Sequence, residues 1–281
     1  MHEDHLITGS TRLVGIVGSP VSQVASPANF NAHFATTGAD IAMIPLDIDA
    51  EAIDAFTVLL RGWKNLLGCV VTVPYKQTLV PHLDALSARS AALGAVNVIR
   101  READGRLIGD MTDGAGFLAA AQAHGFRAAG QTALIAGAGG AGSAIAYALC
   151  EARIGHLTLG DIDRARADLL AKRLGQAFPE VEIDVGLTGA SHADLLVNAT
   201  PAGMDGTTAF PVPAGLLKAC APHVLVADVV TSPVMTPLLL RAQELGCRIQ
   251  TGIEMAAAQM QALGAFMQVM LPDHTSAELA G

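Results

Sequence analysis

The stretch Ala133-Leu-Ile-Ala-Gly137-Ala-Gly139-Gly140-Ala-Gly142-Ser-Ala constrains this chain more than any other. An apolar run predicted as a strand (Thr132 to Ala136) enters a G-x-G-x-x-G turn made by Gly137, Gly139 and Gly142, and the turn opens a predicted helix. That is the context in which such a turn binds a dinucleotide. The first glycine permits the tight turn, the second lets the backbone approach a pyrophosphate, and the third lets helix and strand pack closely. The positive end of the helix faces the phosphate charge. Ala138, Gly140 and Ala141 complete the expected contact loop.

Asp161 ends the next predicted strand, close to the typical spacing of roughly 20 residues from such a turn. A carboxylate there accepts hydrogen bonds from ribose hydroxyls and repels a 2′-phosphate, which favours NAD. Arg164 and Arg166 are near enough to keep NADP as the alternative. The competing role is structural: Asp161 opens the turn to Arg164, and Asp163 caps the following helix.

The surrounding pattern gives the fold class. Of 281 residues, 51% are hydrophobic, 4% aromatic and 29 are glycine. A core of small and aliphatic residues with many turns fits an α/β protein better than a β-sandwich. Strands are expected at Leu13 to Val17, Ile41 to Leu46 and Cys69 to Val73. Helices are expected at Pro27 to Thr37 and Ala50 to Arg61, and a hairpin from Ala95 to Gly109. A connecting helix, Gly114 to His124, leads to six further strands: Thr132 to Ala136, His156 to Leu159, Val181 to Val185, Leu195 to Asn198, Val224 to Asp228 and Arg248 to Gln250. Helices Arg164 to Phe178 and Pro237 to Leu245 lie among them, and a Met- and Ala-rich helix runs from Glu254 to Met270. Six strands with crossovers read as a doubly wound parallel sheet of Rossmann type, preceded by a first α/β domain.

Several classes are excluded. A net charge of −9 with no Lys/Arg cluster argues against a nucleic-acid partner. The uncharged stretch from Ala128 to Cys150 approaches membrane-spanning length, but its glycines weaken a spanning helix, so no membrane association is expected. Cys69, Cys150, Cys220 and Cys247 are scattered and read as buried hydrophobes of a reducing, cytoplasmic compartment. The acidic N-terminus, with His2 and His5, lacks signal-peptide order. No H-E-x-x-H or paired Cys/His spacing occurs, so no metal is expected, and His82, His124, His156, His192 and His223 read as surface or loop residues.

An ordered series of loops carries a family resemblance: Gly18-Ser-Pro20, Ser26-Pro27 with Asn31, Val71-Thr72-Val-Pro-Tyr-Lys76, Gly94-Ala-Val-Asn97, Gly109-Asp-Met-Thr-Asp113-Gly114, Gly137 to Ala141, Asn198-Ala-Thr200, Thr236-Pro237 and Gln259. In this order they resemble the shikimate and quinate dehydrogenases over nearly the whole chain. The resemblance implies a substrate domain, 1–112, completed by a returning C-terminal helix, 254–281. It also implies a Rossmann domain, 113–253, with a cleft between the two. It implies that Lys76 and Asp113 form the catalytic pair, and that Ser26, Thr72, Asn97 and Gln259, with position Val24, bind the substrate. Asn198, Thr200, Gly252 and Arg166 join the cofactor site. The implied partner is a small cyclic hydroxy acid, and a homodimer is the assembly kept in view. Alone, Lys76 would read as a surface lysine and Asp113 as a helix cap.

Four positions depart from the pattern. Val24, Val70 and Met111 stand where polar residues are usual, and Thr231 where a tyrosine is usual. Losing hydrogen bonds to a hydroxyl or carboxylate shifts specificity strongly, so a divergent paralogue is expected. The alternative is a dinucleotide-binding sensor or pseudoenzyme with an altered pocket. A methylene-tetrahydrofolate dehydrogenase is a third reading, disfavoured by the Lys76 and Asp113 motifs.

Overall fold

The computed structural model describes residues 7–187, 193–204, 207–220 and 222–271. The chain forms two compact units, Met1–Thr112 with Met260–Gly281, and Asp113–Gln259. Both are α/β.

The first unit contains β1 (Arg12–Gly18), α1 (Ser26–Thr37), β2 (Ile41–Asp47), α2 (Ile53–Gly62), β3 (Leu66–Val71), β4 (Ala85–Leu86), α3 (Ala88–Leu93), β5 (Val98–Arg101) and β6 (Leu107–Asp110). The sheet order is β2-β1-β3-β5-β6-β4. β1 lies parallel to β2 and β3, while β5 runs antiparallel to β3 and β6. The near-continuous apolar run of β1 suits burial on both faces. Phe30 and Phe34, four residues apart on one face of α1, enter the core together.

β3 starts at Leu66 and stops at Val71, two residues short of the expected end. Thr72 still donates its N–H to Val17 O at 2.9 Å, but Val73 is exposed before Pro74, which has no N–H for a ladder. β4 and α3 fall outside the sequence expectation. A two-residue strand carries no periodicity, and α3 is one short helix capped by Ser87.

The second unit begins with α4 (Asp113–Ala123) and continues through β7 (Thr132–Ala136), α5 (Gly140–Glu151), β8 (His156–Gly160), α6 (Arg164–Ala177) and β9 (Glu182–Val185). Then come β10 (Leu195–Asn198), α7 (Ala214–Cys220), β11 (Leu225–Asp228), α8 (Pro237–Glu244), β12 (Arg248–Gln250) and α9 (Gly252–Phe266). All six strands are parallel in the order β12-β11-β10-β7-β8-β9. The order reverses between β7 and β10. In open α/β sheets, ligands bind outside the carboxyl ends of the strands at such a switch point.

The uncharged stretch from Ala128 to Cys150 contains β7, the glycine loop and α5. Among the described residues no helix is long and apolar enough to cross a membrane. α9 starts two residues earlier and ends four residues earlier than expected. Its later residue Leu263, with Met267 and Met270, packs in the first unit's core beside Phe30, Phe34 and Met43. All four cysteines are buried and outside any disulfide, and burial pushes the Cys69 and Cys150 thiols up to about 12.

One ion pair ties α3 to the end of β6. Buried Asp110 accepts from Arg89 Nε at 2.7 Å, from the Met111 N–H at 2.7 Å, and from Arg89 Nη2 and the Ser87 hydroxyl. Burial pushes its carboxyl up, but the Arg89 guanidinium and the other donors bring it net below the usual carboxylate range. Its stabilising contribution is therefore fully present above the ordinary value of 3.8 and lost as pH falls through the lower folded value. Arg89→Leu leaves a buried carboxylate unpaired. The expected loss in chemical denaturation at neutral pH is about 3 kcal/mol, and in this variant stability should decline as pH climbs past the ordinary carboxylate range.

Candidate active site

In the second unit, the loop after β7 is shaped by backbone crowding on one side and bare backbone on the other. Gly137 has φ +105°, and an added Cβ at Gly142 would lie 1.8 Å from Gly137 O. No side chain other than glycine fits there without moving β7 from α5. At Gly139 and Gly140 an added Cβ would meet nothing within 4 Å. The open backbone thus faces empty space at the start of α5, whose N-terminus carries no side-chain cap. A pyrophosphate fits this cradle. Gly139, Gly140 and Ala141 would offer backbone at the helix end, while buried Ala138 turns its N–H away to the Asp161 carboxylate at 2.7 Å.

Asp161 is therefore engaged structurally. Its other oxygen accepts the Asp163 N–H at 2.8 Å, so it joins the loops after β7 and β8. Asp163 caps α6, accepting the Ala165 N–H at 3.1 Å. Arg166 reaches 3.9 Å from Asp161 and 4.0 Å from Asp163. Both structural roles expected from the sequence are present.

Asn198 is fully buried. Its amide donates to Ala202 O and to Asp228 at 3.0 Å each, and its oxygen accepts the Thr200 N–H and hydroxyl. Asn198 thus shapes the loop after β10 from within rather than presenting its side chain outward. Asp228, at the end of β11, also accepts from Thr236 Oγ1 at 2.7 Å and the Val230 N–H at 2.9 Å. Burial pushes this carboxyl up, against those hydrogen bonds. The sequence reading missed Asp228 and Thr236 as a network; an acid at a strand end followed by Thr-Pro was the available signal. Gly252 is accounted for by packing, since an added Cβ would lie 2.3 Å from Val230 O.

Asp113, at the start of α4, is buried and accepts a hydrogen bond from Gln259 Nε2 on α9. Two glycines bring the helices together. An added Cβ at Gly114 would lie 2.1 Å from Ala144 O on α5, and one at Gly116 would lie 2.7 Å from Gln259 Cα. The pair Asp113 and Gln259 is thus set by close helix contacts within this unit. Glycine inside a predicted helix is the sequence signal for such an approach, one that the motif reading passed over.

In the first unit, half-buried Lys76 follows Tyr75, whose ring is buried and whose hydroxyl donates to Ile48 O. Lys76 O accepts the Val96 N–H at 2.7 Å, which holds the segment against the strand leading to Asn97. Asn97 is buried. It accepts the Thr112 N–H at 2.7 Å and donates to Thr112 Oγ1 at 3.1 Å, fixing the residue that precedes Asp113 in the chain. Thr72 is half-buried at the exit of β3. Ser26 opens α1, where no side chain caps the first turn. Among the departures, Val70 and Met111 are buried, Val70 in the same core as Met267, so packing accounts for its apolar side chain. Val24 is only half-buried beside that core, and Thr231 is exposed.

The expected surface or loop setting does not hold for His156, which is half-buried and opens strand β8. His82 lies 3.6 Å from Asp54, and His124 pairs with Glu254 at 2.9 Å. Parallel pairing of β8 with β9 puts His156, Glu182 and Asp184 on one face, with ligand atoms within 4.8 Å of one another. Glu182 and Asp184 are exposed. His2, His5 and His192 lie outside the described residues.

Comparison with known proteins gives a consistent picture. Residues 16–99 match the family model of the shikimate dehydrogenase substrate binding domain. The shikimate dehydrogenase (NADP(+)) of Rubrobacter xylanophilus is 40% identical over 240 residues, 84% of this chain and 83% of that protein. The crystal structure of shikimate 5-dehydrogenase from Listeria monocytogenes, in complex with shikimate and NAD, superposes with a TM-score of 0.88 at 26% identity, covering 97% of this chain and 98% of that one. Quinate dehydrogenase from Corynebacterium glutamicum, in complex with NAD, gives a TM-score of 0.82 at 28% identity, covering 96% and 99%.

The crowding at Gly142 makes a direct test. Gly142→Ala should lower stability by about 2 kcal/mol, as overpacking does, and should abolish dinucleotide binding. Thermal unfolding and a titration with NADH followed by nicotinamide fluorescence check the two effects.

Proposed function

The chain belongs to the shikimate dehydrogenase family of NAD(P)-dependent oxidoreductases, and from that premise we propose that it interconverts a secondary alcohol and a ketone on a shikimate- or quinate-like cyclic hydroxy acid, with NAD as the favoured cofactor. The observation that carries the reading is buried Asp113, held by Gln259 in a unit whose parallel sheet ends in a bare glycine cradle. The sensor reading gains no support, since the relatives are named as dehydrogenases.

When bound, a nicotinamide cofactor supplies the hydride acceptor. The residues of the chain do the rest. The carbinol C–H bond breaks with its electron pair, the O–H proton passes to the lone pair of Lys76 Nζ in its neutral amine form, which becomes the ammonium, and the C=O bond forms. Asp113, fixed by Gln259, is the proposed carboxylate partner of the reacting hydroxyl. Proton transfer by a positioned side chain contributes on the order of 10²–10⁴ in rate. Ser26 and the uncapped first turn of α1 suit a carboxylate, because helix N-terminal N–H groups attract anions. Thr72 and Asn97 are the proposed hydroxyl contacts. The NAD preference is supported by two carboxylates, Asp161 and Asp163, where a 2′-phosphate would otherwise be received. The related NADP(+) enzymes show that the family also accommodates the phosphate. A cytoplasmic location is supported by four buried cysteines that form no disulfide.

The test is initial-rate kinetics with shikimate and quinate, each with NAD and NADP. Lys76→Ala should lower kcat about 10³-fold while leaving NADH binding intact. Absence of turnover with either acid, despite cofactor binding, would reject the substrate assignment. Val24→Ser restores a hydroxyl beside Ser26 and should lower the KM for shikimate about fivefold, the worth of roughly one hydrogen bond. An unchanged KM would remove Val24 from the substrate site.

A further inference from the structure

We propose that Arg89 is a positioning residue for the substrate, acting through Asp110 to fix Asn97; the inference rests on the reading of Asn97 as a hydroxyl contact. Arg89 lies outside every motif in the ordered series. All the residues concerned belong to the first unit.

Helix α3 leads directly into the segment that carries Asn97. It ends at left-handed Gly94, whose N–H donates to Ser90 O at 2.8 Å, and Asn97 follows three residues later. Its first turn is tied to the end of β6. Ser87 donates its N–H to Gly109 O at 3.0 Å and its hydroxyl to Asp110. Arg89 grips the same carboxylate with both arms of a fork, Nε to one oxygen at 2.7 Å and Nη2 to the other. Asp110 in turn reaches Asn97 by two routes. Its carbonyl accepts the Asn97 N–H at 2.9 Å. Its carboxylate accepts the Met111 N–H at 2.7 Å, at the turn that brings Thr112 to the Asn97 side chain. Thr112 holds that amide at both ends, giving its N–H to Asn97 Oδ1 at 2.7 Å and accepting from Nδ2 at 3.1 Å.

The fork matters more for geometry than for stability. The Asp110 side chain is 4% exposed and that of Arg89 28%. A pair this buried is often no more stabilising than apolar side chains of the same volume, because both charges leave water. A forked pair does supply direction, since two parallel bonds fix the plane of the carboxylate. That plane sets where the Met111 N–H points, and so where Thr112 and Asn97 come to rest. Both are buried, so a displacement at the carboxylate is passed on by packing.

The test is initial-rate kinetics on the full chain with shikimate and with quinate, at saturating cofactor. The variants are Arg89→Leu, Arg89→Leu/Asp110→Asn, Asn97→Ala, and the first two repeated with Asn97→Ala. NADH affinity, from nicotinamide fluorescence, and melting temperature are recorded for each. The Arg89→Leu/Asp110→Asn variant leaves no buried charge unpaired and keeps an acceptor for the Met111 N–H. It carries the test where Arg89→Leu alone fails to fold.

Both Arg89 variants should raise KM roughly tenfold, the worth of about one hydrogen bond to substrate, with kcat little changed. NADH affinity should stay within about twofold, as expected for a distant site. With Asn97→Ala already present, the Arg89 substitutions should add less than about twofold, because the residue they position is gone. Arg89→Leu/Asp110→Asn should regain melting temperature relative to Arg89→Leu without regaining KM, a split that a purely stabilising role does not produce. A KM unmoved by both Arg89 variants, a rise that persists in full without Asn97, or a KM that recovers along with stability would each overturn the inference. A wild type that binds NADH but turns over neither acid overturns the substrate reading and the inference with it. Turnover with a KM indifferent to Arg89 overturns the inference alone.

Discussion

The second unit depends on how closely backbones can approach one another. With Gly142 pressed on Gly137 O, α5 starts directly against the end of β7 without a side-chain cap, and Gly139 and Gly140 border open space. The same economy of side chains continues outward. Gly114 lets α4 rest on Ala144 of α5, and Gly116 lets α9 rest on α4 at Gln259. A line of close contacts therefore runs from the glycine loop after β7 to the Asp113–Gln259 pair. Interiors this dense transmit small displacements rather than absorbing them. The proposed catalytic carboxylate is consequently positioned by the same helix that would receive the pyrophosphate.

Buried acids provide the second kind of constraint, and they behave differently. Asp110 faces a guanidinium and lies below the usual carboxylate range, whereas Asp228 has only neutral donors and lies above it. Both are hydrogen-bonded through several donors, as burial of a carboxylate requires. Each sits at the carboxyl end of a strand and organises the residues that follow: Met111 after β6, the turn to Val230 after β11. Asn198 extends the second network to the loop after β10. The strand ends thus carry polar groups that hold the loops from below, leaving the loop surface to the ligand.

Much of this was legible in the sequence because its signals are local. β7, β10 and β12 appear at their expected limits, since apolar runs bounded by turn residues need no tertiary information. The G-x-G-x-x-G turn was visible for the same reason. β4 and α3 were not, because short elements held by partners distant in sequence leave no periodic trace. Among the site residues, Lys76 and Asp113 stood out only as parts of ordered motifs. The inward role of Asn198 and the double engagement of Asp161 were invisible, because hydrogen-bond partners from other strands are not written in a linear pattern.

The sequence by itself determined the α/β class, the parallel second sheet, the glycine cradle and the family to which the motifs belong. These follow from periodicity, backbone chemistry and residue order, all properties of neighbouring positions. Only the tertiary structure decided which polar atoms are engaged and which face outward. It buried Val70 and Met111 and left Val24 half-covered. It gave Asp161 to the loops, and it set Arg166 between two carboxylates. The reason is that burial and electrostatic environment are sums over neighbours from many segments, and no single segment contains them.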